Sequence, residues 1–172
     1  CNTPPHREQP MASPEMRLRM LRLAVENEPG LVVDTRELDR DGPSFMVDTL
    51  NSIRVEEGSV PIFLFIGSDA FNYLTHWYEW EHLFDFAHIV VMSRPGKRHS
   101  PHDLKPFFKS RYSESLCDLK GKPSGALFFQ EVTRLDISAT QIRRVFTENR
   151  NPRFLLPDTV IDFISQNNLY AP

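Results

Sequence analysis

Near the C-terminus of the 172-residue sequence, the run LDISATQIRR (135–144) sets two hydroxyls, Ser138 and Thr140, ahead of two adjacent cations, Arg143 and Arg144. Ser138 followed three residues later by Gln141 fits a capping box, in which hydroxyl and amide satisfy backbone donors at a helix start. Arg143 does not belong to that pattern, because the first turn of a helix disfavours a cation unless an anion is near. A bound phosphate reconciles the two, since free N–H groups and hydroxyls at a helix start beside a guanidinium form an anion grip.

Three further clusters have chemical potential, each with an ordinary reading beside it. Gly67-Ser68-Asp69 closes the apolar run PIFLFIG, and Asp69 also suits a plain helix N-cap. Arg94 precedes Pro95-Gly96 and also suits a solvated loop. HWYEWEHL (76–83) supplies Trp77, Tyr78 and Trp80, which with Phe84 also read as a helix packing an aromatic face. Six histidines invite a metal reading, but no pair has the i, i+4 spacing of a zinc helix, and His99 and His102 fall in a proline-broken basic loop, so a structural zinc is not expected. Cys1 and Cys117 have neither metal-ligand spacing nor the density of a disulfide scaffold, which suggests a reducing cytoplasm.

The elements that must position these groups alternate. Ser13-Pro14-Glu15 starts a helix carrying Met16, Met20, Leu21 and Ala24 at helical spacing, stopped by Pro29-Gly30. LVVDTREL (31–38) is expected as a strand, and DGPS (41–44) as a turn into a helix with Val47, Leu50 and Ile53 inward. The apolar runs 61–67, 88–93 and 126–132 read as strands covered on both faces, with helices expected over 75–86, 103–114, about 138–148 and 158–167. The alternation implies a Rossmann-like, doubly wound, mostly parallel α/β sheet, whose ligands sit beyond the C-terminal strand ends. One domain over 1–172 suits the length.

Bulk composition excludes several classes. The chain is 40% hydrophobic and 25% charged, with no apolar run near the roughly 18 residues of a membrane span. A net charge of -3 leaves no basic field for nucleic acid, so any phosphate grip is local.

ISATQIRR resembles the Ile-Ser-x-Thr-x-Ile-Arg signature of the nucleotidyltransferase superfamily, which binds ATP and transfers its adenylyl group. In order and spacing, PPHR (4–7), GPSFMVDTL (42–50), FIGSDAF (65–71), HWYEWEHL and SRPG (93–96) are similar to the bacterial nicotinate-nucleotide adenylyltransferases. The resemblance implies adenylyl transfer from ATP to nicotinate mononucleotide, giving nicotinic acid adenine dinucleotide and pyrophosphate, with Mg2+ carried in by ATP. It assigns His6, Arg7, Ile137, Ser138, Thr140 and Arg143 to ATP, and Ser44, Met46, Gly67, Asp69, Trp77, Tyr78 and Arg94 to the mononucleotide. Within that set Trp77 stacks on the pyridine ring and the Tyr78 backbone N–H donates to its carboxylate, while Trp80 and Phe84 belong to the core.

Two departures from the family pattern shape the expectation. The family's first strand, Gly-rich turn and His-x-Gly-His cradle have no counterpart, and such a strand–helix unit takes roughly 30 residues or more. The domain is therefore expected to be N-terminally incomplete, with weak stability and little catalysis if these 172 residues stand alone. Phe45 and Met46 stand where the family often has Tyr-Thr, which loosens the preference for acid over amide. The alternatives are a nicotinamide-mononucleotide adenylyltransferase and a non-catalytic nucleotide-binding module.

Overall fold

The three apolar runs do form one sheet. The computed structural model describes residues 11–93, 103–133, 135 and 137–171. By its internal contacts the chain divides into two compact units, one of Phe45–Arg134 and one of Cys1–Ser44 with Leu135–Pro172.

In the first unit, β1 (Phe63–Gly67), β2 (His88–Ser93) and β3 (Leu127–Glu131) lie parallel in the order β1-β2-β3. Phe63 stands opposite His88, and Ile89 opposite Leu127. Side chains alternate across a strand, so Ile66, Ile89, Val91 and Leu127 share one face, where they join a core with Val47 and Leu50 of α2 (Met46–Glu57). Ile53, expected inward on α2, is half-buried. The other face is less covered: Phe65 is 60% exposed and Met92 38%.

Parallel strands need crossovers. After β1 the chain runs through α3 (Ser68–Asn72) and α4 (Leu83–Phe86), and after β2 through α5 (Pro106–Lys109) and α6 (Leu116–Lys120). The continuous helix expected over 75–86 is absent. Trp77 is extended (φ -74°, ψ 146°) and Glu79 is left-handed (φ 48°), which splits the stretch into 3-10 turns at Leu74–His76 and Trp80–His82 ahead of α4. The aromatic side chains set this break. Trp80 packs 4.8 Å from Phe107 and 5.3 Å from Phe108, and Phe84 lies 5.5 Å from Phe107, so both residues are core groups as expected.

The helix expected over 103–114 shortens to α5 for a similar reason. The backbone of 111–113 pairs beside β3 instead, with Leu127 N–H donating to Arg111 O (2.7 Å) and Ser113 N–H to Leu127 O (2.9 Å). The strand expected at 31–38 does not form either. Val32 is 91% exposed, no ladder partner lies beside the segment among the described residues, and the Asp34 carboxylate instead accepts from the Arg36 backbone and guanidinium.

In the second unit, α1 (Pro14–Val25) begins as its sequence predicts, with Ser13 accepting from Met16 N–H (3.3 Å). α1 packs against α8 (Asp158–Gln166), which buries Val160 and Ile164, while Leu21 stays 51% exposed. α7 (Ala139–Thr147) follows Ser138.

At the N-terminal ends of the strands the first unit is tied by polar groups. His88 is fully buried, with Ala126 N–H donating to its Nδ1 (3.1 Å) and its Nε2 donating to Lys122 O (2.8 Å), an arrangement that requires the neutral Nε2–H tautomer. Arg54, near the end of α2, donates to four carbonyls: Gly58 and Val60 (2.7 Å each), Phe86 (3.1 Å from Nε) and Pro123 (2.6 Å). One guanidinium thereby joins the end of α2, the approach to β1, the end of α4 and the approach to β3. Arg54→Met keeps the apolar stem and removes every donor, so equilibrium denaturation should show a loss of about 2–3 kcal/mol, with α2 still helical by circular dichroism.

Candidate active site

β1 ends at Gly67 and α3 starts at once, so the two polar groups after the strand sit in the first turn of a helix. Gly67 has φ -75°, which any residue adopts, but a Cβ there would meet nothing within 4 Å, so the protein leaves that side of the backbone open. The cap position belongs to Gly67 and no side chain caps α3, which removes the N-cap reading of Asp69. Asp69 is exposed and its carboxylate has no hydrogen-bond partner among the described residues. Ser68 Oγ donates to Met92 O (3.1 Å) and so ties the C-terminal ends of β1 and β2 together.

Trp77 and Tyr78 share the turn that breaks the expected helix, closed by Trp80 N–H donating to Trp77 O (3.3 Å). Trp77 is half-buried against the core, and its own N–H is taken by Leu74 O (3.0 Å). The Tyr78 N–H meets no acceptor among the described residues. Its ring is 52% exposed and lies 4.5 Å from Phe45, the residue before α2. The Glu79 carboxylate, hydrogen-bonded to the phenol, pushes the Tyr78 hydroxyl above its usual range. A bulky side chain at positive φ, as at Glu79, costs of order 1–2 kcal/mol and persists only where neighbours enforce it. Here Trp80 and Phe84 are the enforcing neighbours. Met46 opens α2 with its side chain packed on the core.

In the other unit, Ser44 is half-buried and its hydroxyl donates to Glu37 O (3.2 Å). The capping box is complete: Gln141 N–H donates to Ser138 Oγ (3.2 Å), and Ser138 N–H donates to Gln141 Oε1 (2.9 Å). The two adjacent arginines differ. Arg144 pairs with Glu148 (2.5 Å), whose second oxygen holds Arg150 (2.5 Å), and Arg144 first and Arg150 after it hold the Glu148 carboxyl below its usual range. Arg143 makes no ion pair among the described residues and reaches only Thr140 Oγ1 (3.3 Å). Ile137, 43% exposed, lines a hollow of about 290 Å³ with Gln141, Val145 and Leu155.

Each cluster thus keeps its sequence neighbours together: Gly67 with Asp69 and Trp77 with Tyr78 in one unit, Ser138 with Thr140 and Arg143 in the other. His6, Arg7 and Arg94 lie outside the described residues. Phe45, noted in the sequence only as a departure from the family pattern, is the ring that packs on Tyr78. Arg40 went unnoticed in the sequence; one of its guanidinium nitrogens is buried without a hydrogen-bond partner among the described residues. An arginine between Asp39 and Asp41 looks like local charge compensation, which conceals it.

The Cytidylyltransferase-like family profile matches residues 1–145. The chain is 47% identical over 173 residues to a probable nicotinate-nucleotide adenylyltransferase of Methylococcus capsulatus, covering 99% of this chain and 82% of that protein. It is 45% identical over 169 residues to the one of Halorhodospira halophila, covering 98% and 78%. Among solved structures it resembles a Plasmodium falciparum nicotinic acid mononucleotide adenylyltransferase complexed with NaAD, at TM-score 0.66 and 14% identity, over 99% of this chain and 79% of that one, a likeness of fold. The chain belongs to the Cytidylyltransferase-like family and, within it, to the nicotinate-nucleotide adenylyltransferases.

Proposed function

We propose that the chain transfers the adenylyl group of ATP to nicotinate mononucleotide, in the synthesis of NAD. An oxygen of the mononucleotide phosphate bonds to the α-phosphorus of ATP, the bond from that phosphorus to the bridging oxygen breaks, and pyrophosphate leaves with the electron pair. No protein nucleophile takes part. The residues supply position and charge, the general means of phosphoryl and nucleotidyl transfer.

The observation that carries this reading is the Trp77–Trp80 turn, which offers a half-buried indole next to the Tyr78 backbone N–H, which has no acceptor among the described residues. A flat aromatic acid matches that pair, ring on indole and carboxylate on N–H. Beyond β1, Asp69, whose carboxylate has no partner among the described residues, and the open backbone at Gly67 suit the ribose side of the mononucleotide. At α7 Arg143, which makes no ion pair among the described residues, the Thr140 hydroxyl and the helix N-terminus suit ATP phosphate. Mg2+ enters with ATP. Mg2+ carried by ATP is held mostly by phosphate and water oxygens; among the described residues no group of three or more His, Cys, Asp or Glu is gathered. Among the described residues no helix is long and apolar enough to cross a membrane. The proposed location is the cytoplasm.

The reading is tested by titrating tryptophan fluorescence with nicotinate mononucleotide and, separately, with its amide. Saturable quenching that favours the acid is expected. Quenching by neither ligand, in protein shown to be folded, would falsify it. Trp77→Leu should weaken binding of the acid mononucleotide about 10-fold, the scale of one lost aromatic stack, and leave ATP binding unchanged. At α7 the two arginines should separate: Arg143→Ala weakens ATP binding about 10-fold or more, as loss of a charged phosphate contact does, whereas Arg144→Ala leaves it within about 2-fold. Equal losses for both variants would refute the phosphate role of Arg143.

A further inference from the structure

Resting on the mononucleotide reading above, we propose that Phe45 is a positioning residue that sets the preference for acid over amide: its ring packs on Tyr78 and so holds the Tyr78 backbone N–H where the ligand carboxylate meets it. All of the groups involved belong to the unit Phe45–Arg134. The Tyr78 side chain is exposed, and Phe45 is its one ring partner among the described residues, at 4.5 Å between centroids and 35° between planes. The Tyr78 phenol is tied to the Glu79 carboxylate, one residue along the same turn. Of these two ties only the ring contact reaches outside the turn.

Phe45 is out of place in its local role. It is the cap residue of α2, extended at ψ 144°, and its carbonyl accepts from Thr49 N–H (3.2 Å), but its side chain makes no cap bond. That position favours Ser, Thr, Asp or Asn, whose side-chain oxygen accepts from a free helix donor. Phenylalanine cannot do this, so α2 itself gives no reason for the ring. The reason lies across the unit, where Phe45 packs on the same core as Trp77 and Trp80 and lies against Tyr78. The residues around Tyr78 are already fixed: Trp77 N–H donates to Leu74 O (3.0 Å), Trp80 N–H donates to Trp77 O (3.3 Å), and Glu79 is left-handed at φ 48°. The Tyr78 N–H between them has no acceptor among the described residues, so its direction depends on where the Tyr78 side chain is held. A hydrogen bond to a charged acceptor is stronger than one to a neutral carbonyl, so misdirecting this N–H costs the acid more than the amide. As a sequence departure Phe45 loosens the choice of acid; through this contact it enforces that choice.

Calorimetric titration of the full chain and its variants with nicotinate mononucleotide, nicotinamide mononucleotide and ATP tests this. Phe45→Leu keeps an apolar side chain on the core and removes the ring. It should lower the ratio of amide Kd to acid Kd about 5-fold or more, the difference between a charge-assisted and a neutral hydrogen bond, and leave ATP affinity unchanged. Phe45→Tyr restores a ring and should retain the ratio of the unaltered chain. Tyr78→Leu removes the same contact from the other side while keeping the backbone N–H; it should lower the ratio to a similar degree and serves if Phe45→Leu does not fold. Combining the two leucines should lower it no further, as for two ends of one contact. An unchanged ratio in the leucine variants overturns the proposal whether or not melting drops, because packing alone shifts stability without separating acid from amide. An equal loss in Phe45→Tyr, or additive losses in the double variant, overturns it as well. If the unaltered chain, though folded, does not favour the acid, the functional reading itself fails, a result distinct from an acid preference that outlasts the loss of Phe45.

Discussion

β2 is the constraint on which the central unit depends. It is hydrogen-bonded to a strand on each side, and Ile89 and Val91 are fully buried on one face while His88 and Val90 are buried on the other. A strand so enclosed cannot place a free polar side chain along its length without losing hydration. Chemistry is therefore confined to the two ends of the sheet, and the ends are used differently.

At the N-terminal ends the Arg54 guanidinium and the His88 ring are consumed internally, by four carbonyls and by two bonds respectively. At the C-terminal end of β1 the Asp69 carboxylate has no partner among the described residues, and one side of Gly67 is open. The same contrast recurs within α7, where Arg144 is neutralised by Glu148 and its neighbour Arg143 has no ion pair among the described residues. Sites in α/β sheets lie beyond the C-terminal strand ends because loops diverge there and helix N-termini point outward. In this chain the difference can be read as paired against unpaired polar groups.

The sheet was legible because its strands are long apolar runs closed by polar turns, and three of the four expected strands form within two residues of their expected bounds. α1 and α7 were legible from Ser13 and Ser138, whose hydroxyls cap as their spacing predicts. Local pattern failed where a distant partner decides the conformation. LVVDTREL has strand composition, but a strand exists only with a ladder beside it, and Asp34 turns back on Arg36 instead. HWYEWEHL has helical aromatic spacing, yet packing of Trp80 and Phe84 on Phe107 and Phe108 forces a left-handed Glu79 and breaks the helix. That failure matters for function, since an unbroken helix would have used the Tyr78 N–H internally.

The central claim is that the Trp77–Trp80 turn reads a pyridine carboxylate through the Tyr78 backbone N–H. The most direct measurement is the amide resonance of Tyr78 in a 15N-labelled chain during titration with nicotinate mononucleotide and with its amide. The account predicts a downfield, saturable shift of that amide proton with the acid and a much smaller one with the amide. Saturable binding of the acid that leaves the Tyr78 resonance in place would contradict it.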